Sequence, residues 1–347
     1  MEQKKDDKNK ISRKKFLKIC GSFIAGGSIL GVSGMLLWKK FIYADRLLDK
    51  DGLMPAANAT NLKNSFTSPY KLVGSFSTPG SIEGFELAGD YLIAATPNNI
   101  AIYDQTGSLV NSFAIGSSLR DIATDNDHIY MLFPSRVEVY NHEGEWLRDW
   151  EACSELSDYC SIAIAPGAVF VTDAANKHIC KYTTDGNFVT FIQSPDGFII
   201  PSYSFGITYA NETLYCSNSG RHRVEKYSPD GEYLGSFGKA GGATGMFCGC
   251  CNPVHLTHTS TGEIITSEKG NPRISCYGEN GEFRSLLLDK KTLGGGTTAY
   301  NVKTHDDKMF VAGRNIISIF QYDKLLAAKT SCSDCGVKCP LRKGITV

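Results

Sequence analysis

The sequence predicts an all-β chain: a six-bladed β-propeller preceded by one N-terminal transmembrane helix. Three observations carry that expectation. A strand–turn–strand unit recurs six times, the recurrence has a nearly constant period, and a twenty-residue run without charge precedes it.

The unit is clearest at Ser217–Gly238. A turn leads into a strand over Val224–Tyr227, then the Pro229-Asp230-Gly231 turn, then a second strand over Tyr233–Phe237. Proline presets a backbone angle suited to a turn, and glycine accepts the positive φ that other residues resist. The flanking alternation of apolar and polar residues fits antiparallel strands with one buried face. The same pattern runs from Ile100–Tyr103 through Gly107 to Leu109–Phe113, and from Val137–Tyr140 through Gly144 to Trp146–Trp150. Ile179–Tyr182, Gly186 and Phe188–Ile192 repeat it, as do Ile274–Tyr277, Gly281 and Phe283–Leu287; Ile317–Phe320 is a sixth copy without the glycine. From Tyr103 to Phe320 the aligned aromatics lie 37, 42, 45, 50 and 43 residues apart. With a further strand pair ahead of each copy, four short strands every ~40–45 residues is the signature of a propeller.

The stretch SNSGRHRVEKYSPDGEYLGSFG in blade four resembles the NHL-repeat family nearly residue for residue, and KGNPRISCYGENGEF in blade five is a fair match. The resemblance covers roughly residues 70–327 and implies architecture. It implies no activity, because propellers host lyases, hydrolases, receptors and plain scaffolds.

Taken in order, residues 1–18 form a basic N-terminal tail and residues 19–40 a signal anchor or transmembrane helix. Ile19–Trp38 carries no charge and is closed by Lys39-Lys40. Twenty residues at 1.5 Å rise span a bilayer core, and a buried soluble helix would show a polar stripe that this run lacks. No small-x-small cleavage site follows directly, so retention is expected. The longer basic N-terminus is expected to stay in the cytoplasm. That places the propeller on the periplasmic, extracytoplasmic side of a bacterial cytoplasmic (inner) membrane. Ser12–Lys18 resembles a twin-arginine export signal, with Lys14 where the second arginine belongs; the resemblance implies export of a folded domain, often one loaded with metal. Residues 41–69 read as a linker and 70–327 as the propeller. Tyr70–Phe76 resembles an outermost strand, so it should complete blade six and remove two exposed sheet edges. Residues 328–347 are a cysteine-rich tail.

The 347 residues carry 36 basic and 36 acidic side chains and are 42% hydrophobic, ample for one large core. The balanced charge argues against nucleic acid as a partner. Twelve cysteines are the most informative feature after the repeat. Cys248, Cys250 and Cys251 lie in the loop between blades four and five, and His255 follows at the start of an inner strand beside the channel. These are candidate metal ligands. Aligning the inner strands puts Gly84, Asp121, Ser161, Gly206 and Asn301 at the other channel positions.

Cys332, Cys335 and Cys339 resemble the last three ligands of a bacterial ferredoxin motif, with Lys329 where the first cysteine belongs. They are candidate ligands of an iron–sulfur cluster or zinc, the fourth donor coming from the Cys248–Cys251 loop. Disulfides are the competing chemistry for an exported chain, and a redox-active thiol pair is a third. Cys153 and Cys160, in one inter-blade loop, are the disulfide candidate. Cys180, Cys216 and Cys276 read as small packed residues. Arg136, Arg223 and Arg273 each open the third strand of a blade, a position held by His178 in blade three; their recurrence points to loop hydrogen bonding.

The function expected from the sequence is therefore a membrane-anchored redox or scaffold subunit with a Cys-ligated metal or iron–sulfur centre, working beside a membrane redox or other protein partner. The alternatives are a metal-free binding module with disulfides, or a lyase or hydrolase acting in the channel.

Overall fold

The structure is a computed structural model, and it describes residues 66–117, 119–125 and 127–330. The Ile19–Trp38 run, the twin-arginine-like segment and Cys332, Cys335 and Cys339 lie outside the described residues. Among the described residues, no helix is long and apolar enough to cross a membrane.

Six four-stranded antiparallel sheets make up the domain. Blade one is β2 (Gly84–Ala88), β3 (Tyr91–Thr96), β4 (Asn99–Asp104) and β5 (Leu109–Ala114). Blade two is β6 (Asp121–Thr124), β7 (Ile129–Phe133), β8 (Arg136–Tyr140) and β9 (Trp146–Glu151). Blade three is β10 (Tyr159–Ala165), β11 (Ala168–Asp173), β12 (His178–Thr183) and β13 (Phe188–Ile192). Blade four is β14 (Ile207–Ala210), β15 (Thr213–Asn218), β16 (Arg223–Tyr227) and β17 (Tyr233–Phe237). Blade five is β18 (His255–His258), β19 (Ile264–Ser267), β20 (Ile274–Tyr277) and β21 (Phe283–Leu288). Blade six joins β22 (Asn301–His305), β23 (Lys308–Gly313) and β24 (Ile316–Tyr322) to β1 (Tyr70–Ser77). The first strand of the domain is thus the outer strand of the last blade. It pairs from Tyr70 opposite Tyr322 to Ser77 opposite Ile316. A short helix α1, Lys324–Thr330, follows.

The middle strands are the core. β7 and β11 are buried along their whole length, whereas β5 and β9 alternate or face outward. The repeated glycine explains how one blade fits its neighbour. Gly107, Gly144, Gly186 and Gly281 hold φ between +84° and +91°. A Cβ at each would lie 2.3–2.6 Å from Phe76, Phe113, Trp150 and Phe237, the outer-strand aromatics of the preceding blade. The same four aromatics pack on Tyr103, Tyr140, Tyr182 and Tyr277, with ring centroids 4.9, 6.0, 5.7 and 5.1 Å apart. The sequence period that marks the repeat is therefore an inter-blade seam. Aromatic contacts of this kind add about 0.5–1.5 kcal/mol each beyond area burial.

Candidate metal centre and channel mouth

Blades three and four share a backbone plan at the end where the second strand turns into the third. In blade four, Asn218 ends β15 opposite Arg223, the first residue of β16. Glu225 and Tyr227 follow at alternate positions, and Ser194 lies two residues past β13. These side chains form one network. Arg223 Nε and Nη2 donate to Glu225 Oε1 at 2.8 and 2.6 Å, Asn218 Nδ2 donates to the same oxygen at 2.8 Å, and Ser194 Oγ reaches it at 3.1 Å. The Tyr227 hydroxyl donates to the other carboxylate oxygen. Glu225 is fully buried, and these bonds make that tolerable.

Blade three places different residues on the same plan. Asp173 ends β11 opposite His178, the first residue of β12. Cys180 and Tyr182 follow at alternate positions, and Cys153 lies two residues past β9. Where blade four has Ser, Asn, Arg and Glu, blade three has Cys153, Asp173, His178 and Cys180. All four are buried, and their donor atoms lie within 4.8 Å of one another. The Cys153 and Cys180 sulfurs are 3.2 Å apart, and His178 Nε2 is 3.7 Å from Asp173 Oδ2. Bonds of about 2.0–2.3 Å to a tetrahedral ion set ligand separations near these values. The group could hold a metal ion.

The surroundings favour thiolate at Cys153 and oppose it at Cys180. The hydrogen bond from Cys180 is the largest influence on Cys153 and brings its pKa down to about 5 against the cost of burial, with His178 helping. Burial pushes Cys180 well above the ordinary thiol range. Bringing both thiols to the thiolate form therefore calls for a positive charge among them, as a cation would supply. The Tyr159 hydroxyl lies 3.9 Å from both sulfurs and 2.5 Å from the Tyr182 hydroxyl. The Cys153 backbone N–H donates to Tyr159 at 3.2 Å.

The second locus is the channel mouth. A small open cavity is lined by Asp121, Ser161, Gly206, His255 and Asn301, together with Arg120 and Tyr203 among others. Five of the six positions read from the aligned inner strands thus meet there. Ser161 Oγ and the Ile162 N–H donate to Asp121 Oδ2 at 2.5 and 3.2 Å. Burial nevertheless raises the Asp121 carboxyl to about 6, opposed by the Ser161 bond and Lys303. Burial, with Lys303 and Lys269 nearby, lowers His255 to about 4. His258 shifts downward for the same first reason, and its Nδ1 lies 3.0 Å from Thr208 Oγ1.

The proposed ligand set Cys248, Cys250, Cys251 and His255 does not gather into one group; among the described residues, only the blade-three group does so. Gly249, at φ +78°, turns the chain between Cys248 and Cys250. Cys248 then lies beside Glu268, whose Oε2 accepts its N–H at 3.1 Å, while His255 lines the channel. Cys250 and Cys251 stay together, their sulfurs 3.2 Å apart.

The Cys153–Cys160 pairing needs correction. Cys153 points into blade three against Cys180, whereas Cys160 lines the channel cavity with its sulfur 3.7 Å from the Asp158 carbonyl. The β10–β11 register shifts between Tyr159 and Ser161, so Cys160 and Ser161 both line the cavity while Tyr159 stays beside Cys153. Cys180 is correspondingly part of the candidate centre rather than a plain packed residue. Overlaying blade three on blade four at Tyr182 and Tyr227 was the signal that exposes Asp173, His178 and Cys180. The three arginines bond locally as expected: Arg136 to Glu138, Arg223 to Glu225, and Arg273 to Glu268 and the Met246 carbonyl.

No family model matches the chain, and no curated protein matches it. Solved structures do. Virginiamycin B lyase from Staphylococcus aureus superposes with a TM-score of 0.52 at 13% identity, covering 73% of this chain and 99% of that one. A catalytically inactive histidine-to-alanine variant of the lyase from the same organism, with quinupristin, gives 0.52 at 16% identity over 75% and 97%. A streptogramin B lyase gives 0.53 at 13% identity over 73% and 97%. At these identities the likeness shows the fold, a six-bladed propeller with lyase neighbours.

Proposed function

We propose that this chain is an NHL-type propeller tethered to the bacterial cytoplasmic membrane and facing the periplasm, where it serves as a scaffold subunit beside a membrane redox partner. Its third blade holds a zinc-type ion on Cys153, Asp173, His178 and Cys180. One observation carries the metal reading: four ligating residue types occupy the positions that blade four fills with an Arg–Glu network. Two thiolates, an imidazole and a carboxylate complete a tetrahedral shell and leave no coordination place for a substrate, which is the pattern of a structural site. The uncharged Ile19–Trp38 run and the twin-arginine-like Ser12–Lys18 support tethering and export.

The test is elemental analysis of full-length protein extracted from carbonate-washed membranes. About one zinc per chain is expected, lost in Cys180→Ser and in His178→Ala. Absence of stoichiometric metal, or recovery of Cys153 and Cys180 as a disulfide, would refute the centre. A chain released by the carbonate wash would refute the tether.

A second reading, a lyase or hydrolase working in the channel, is favoured by Asp121 and His255. Their environments push a carboxyl and an imidazole in opposite directions, the arrangement expected of an acid–base pair. Incubating the protein with quinupristin and following the compound by mass spectrometry tests that reading; unchanged compound counts against it for this substrate.

A further inference from the structure

The Cys248–Asn252 loop is held firmly at its base and displays one thiol at its tip. Asn252, almost fully buried, clamps it: its Nδ2 donates to the carbonyls of Cys248 and Lys269 at 2.5 and 3.0 Å, and its Oδ1 accepts the Lys269 N–H at 2.9 Å. His222 Nε2 lies 2.6 Å from the Gly249 carbonyl, and Glu268, fixed by Arg273, holds the Cys248 N–H. Within this frame Cys250 is exposed and Cys251 is buried, with sulfurs 3.2 Å apart. Lys269, whose Nζ donates to Ser204 Oγ at 3.0 Å, stands beside Cys251.

Two sulfurs at this separation do not suit a two-coordinate ion. With bonds of about 2.3 Å, a linear S–metal–S unit would spread them to about 4.6 Å, and no third donor joins them among the described residues. The separation suits closure of an S–S bond instead. We propose that Cys250 and Cys251 form a thiol–disulfide exchange site at the rim of the channel, acting on an accessible disulfide of a partner protein or small thiol compound.

In the exchange, the Cys250 thiolate attacks one sulfur of the incoming disulfide. A Cys250–substrate bond forms, the substrate S–S bond breaks, and its distal sulfur leaves as a thiolate. The Cys251 thiolate then attacks Cys250 Sγ, forming the Cys250–Cys251 bond and expelling the first substrate sulfur. Two electrons pass from the dithiol to the disulfide, and the two protons of the dithiol end on the two released thiols. The division of labour follows from placement. Of the pair, Cys250 alone is exposed, and Lys269 hydrogen-bonds Cys251 while its charge reaches both sulfurs. Burial alone would raise the Cys251 thiol, but the bonds from Cys250 and Lys269 and the ammonium charge bring it below its ordinary value. The bond to Cys251 and burial raise the Cys250 thiol, so exposure makes Cys250 the attacking sulfur, while the lowered Cys251 favours the resolving step.

The experiment treats full-length protein with oxidised glutathione and maps residues 248–252 by mass spectrometry. Wild type should lose two thiols on that segment without an adduct, reversibly with dithiothreitol. Cys251→Ser should trap glutathione on Cys250, and Cys250→Ser should trap none. Lys269→Met should slow resolution of the mixed disulfide by up to about tenfold, a decade of thiolate fraction. A stable glutathione adduct on the wild-type segment, two thiols that stay reduced, or a bond from Cys250 to Cys248 would overturn the assignment. Cys180→Ser, which removes the blade-three centre, should leave every one of these results unchanged, so either reading can fail alone.

Discussion

Blades three and four show how one backbone plan supports two ways of burying charge. In blade four the plan is filled by an internal ion pair: the Arg223 guanidinium balances a fully buried Glu225, and Asn218, Ser194 and Tyr227 satisfy its remaining lone pairs. In blade three the arginine is a histidine and the glutamate is a cysteine. Asparagine becomes aspartate, and serine becomes a second cysteine. Asp173 and two thiols stand in place of one carboxylate, and the guanidinium that balances it in blade four is gone from this position. Substituting a repeat position need not weaken a propeller if the missing cation can come from solution. Metal binding then becomes part of folding free energy, as it does in other thiolate sites.

Exchanging the residues of the two blades has the largest expected effect. Cys153→Ser, Asp173→Asn, His178→Arg and Cys180→Glu together should give a folded, metal-free blade whose thermal midpoint ignores chelator. Wild type should lose stability in chelator, and Cys180→Ser should start destabilised and respond no further. If the four-fold variant still binds one metal per chain, the equivalence of the two sites is wrong.

A comparable loss is expected on the other side. Arg223→Ala strands a buried carboxylate and should cost about 3–5 kcal/mol, read by denaturant unfolding, while leaving the metal content untouched. Loss of metal in that variant would mean that the two blades are not independent.

A smaller effect sharpens the inter-blade seam. Gly186→Ala and Gly231→Ala share a left-handed backbone, with φ of +84° and +88°. The new Cβ would meet the Trp150 ring at 2.5 Å in the first case and Ile192 Cγ1 at 2.8 Å in the second. A rigid indole gives way less than the end of an isoleucine. The first substitution should therefore cost more, on the order of 1–3 kcal/mol beyond the backbone term for an over-packed site. Equal midpoints would show that the backbone strain alone sets the cost.

The smallest effect concerns pH. Asp121 takes up its proton near pH 6 in the folded chain, above its ordinary 3.8, so acidification from 6 toward 4 favours the fold. His255 protonates only near 4 when folded, against 6.5 when free, so acidification across the same window opposes it. The two largely cancel. Asp121→Asn should make stability fall on acidification from pH 6 to 4 relative to wild type, and His255→Asn should make it rise. Identical pH profiles for both variants would contradict these assignments.

Much of this was legible in the chain because the repeat is local. Tyr103, Tyr140, Tyr182, Tyr227 and Tyr277 each sit a fixed few residues from a turn glycine, so strand order, ring closure by Tyr70–Ser77 and the channel positions of Asp121, Ser161, Gly206, His255 and Asn301 followed from alignment. The metal group did not, because its donors come from a loop and two strands, 20, 5 and 2 residues apart in order. Proximity in sequence suggested Cys160 as the partner of Cys153. A register shift at the start of β10 leaves Cys160 on the channel side, and pairing across the blade brings Cys180 in. Reading Cys180 against Glu225, rather than as an isolated cysteine, was the missing step. The Cys248–Cys251 loop shows the converse: one glycine turn parts Cys248 from Cys250 and Cys251, its near neighbours in sequence.

X-ray absorption at the zinc edge of the purified protein reads the ligands of an ion in blade three. The account predicts two sulfur ligands at about 2.3 Å and two nitrogen or oxygen ligands at about 2.0–2.2 Å, with the sulfur shell lost in the variant carrying blade four's residues. A shell of oxygen and nitrogen alone, or a sulfur shell that survives that exchange, would contradict it.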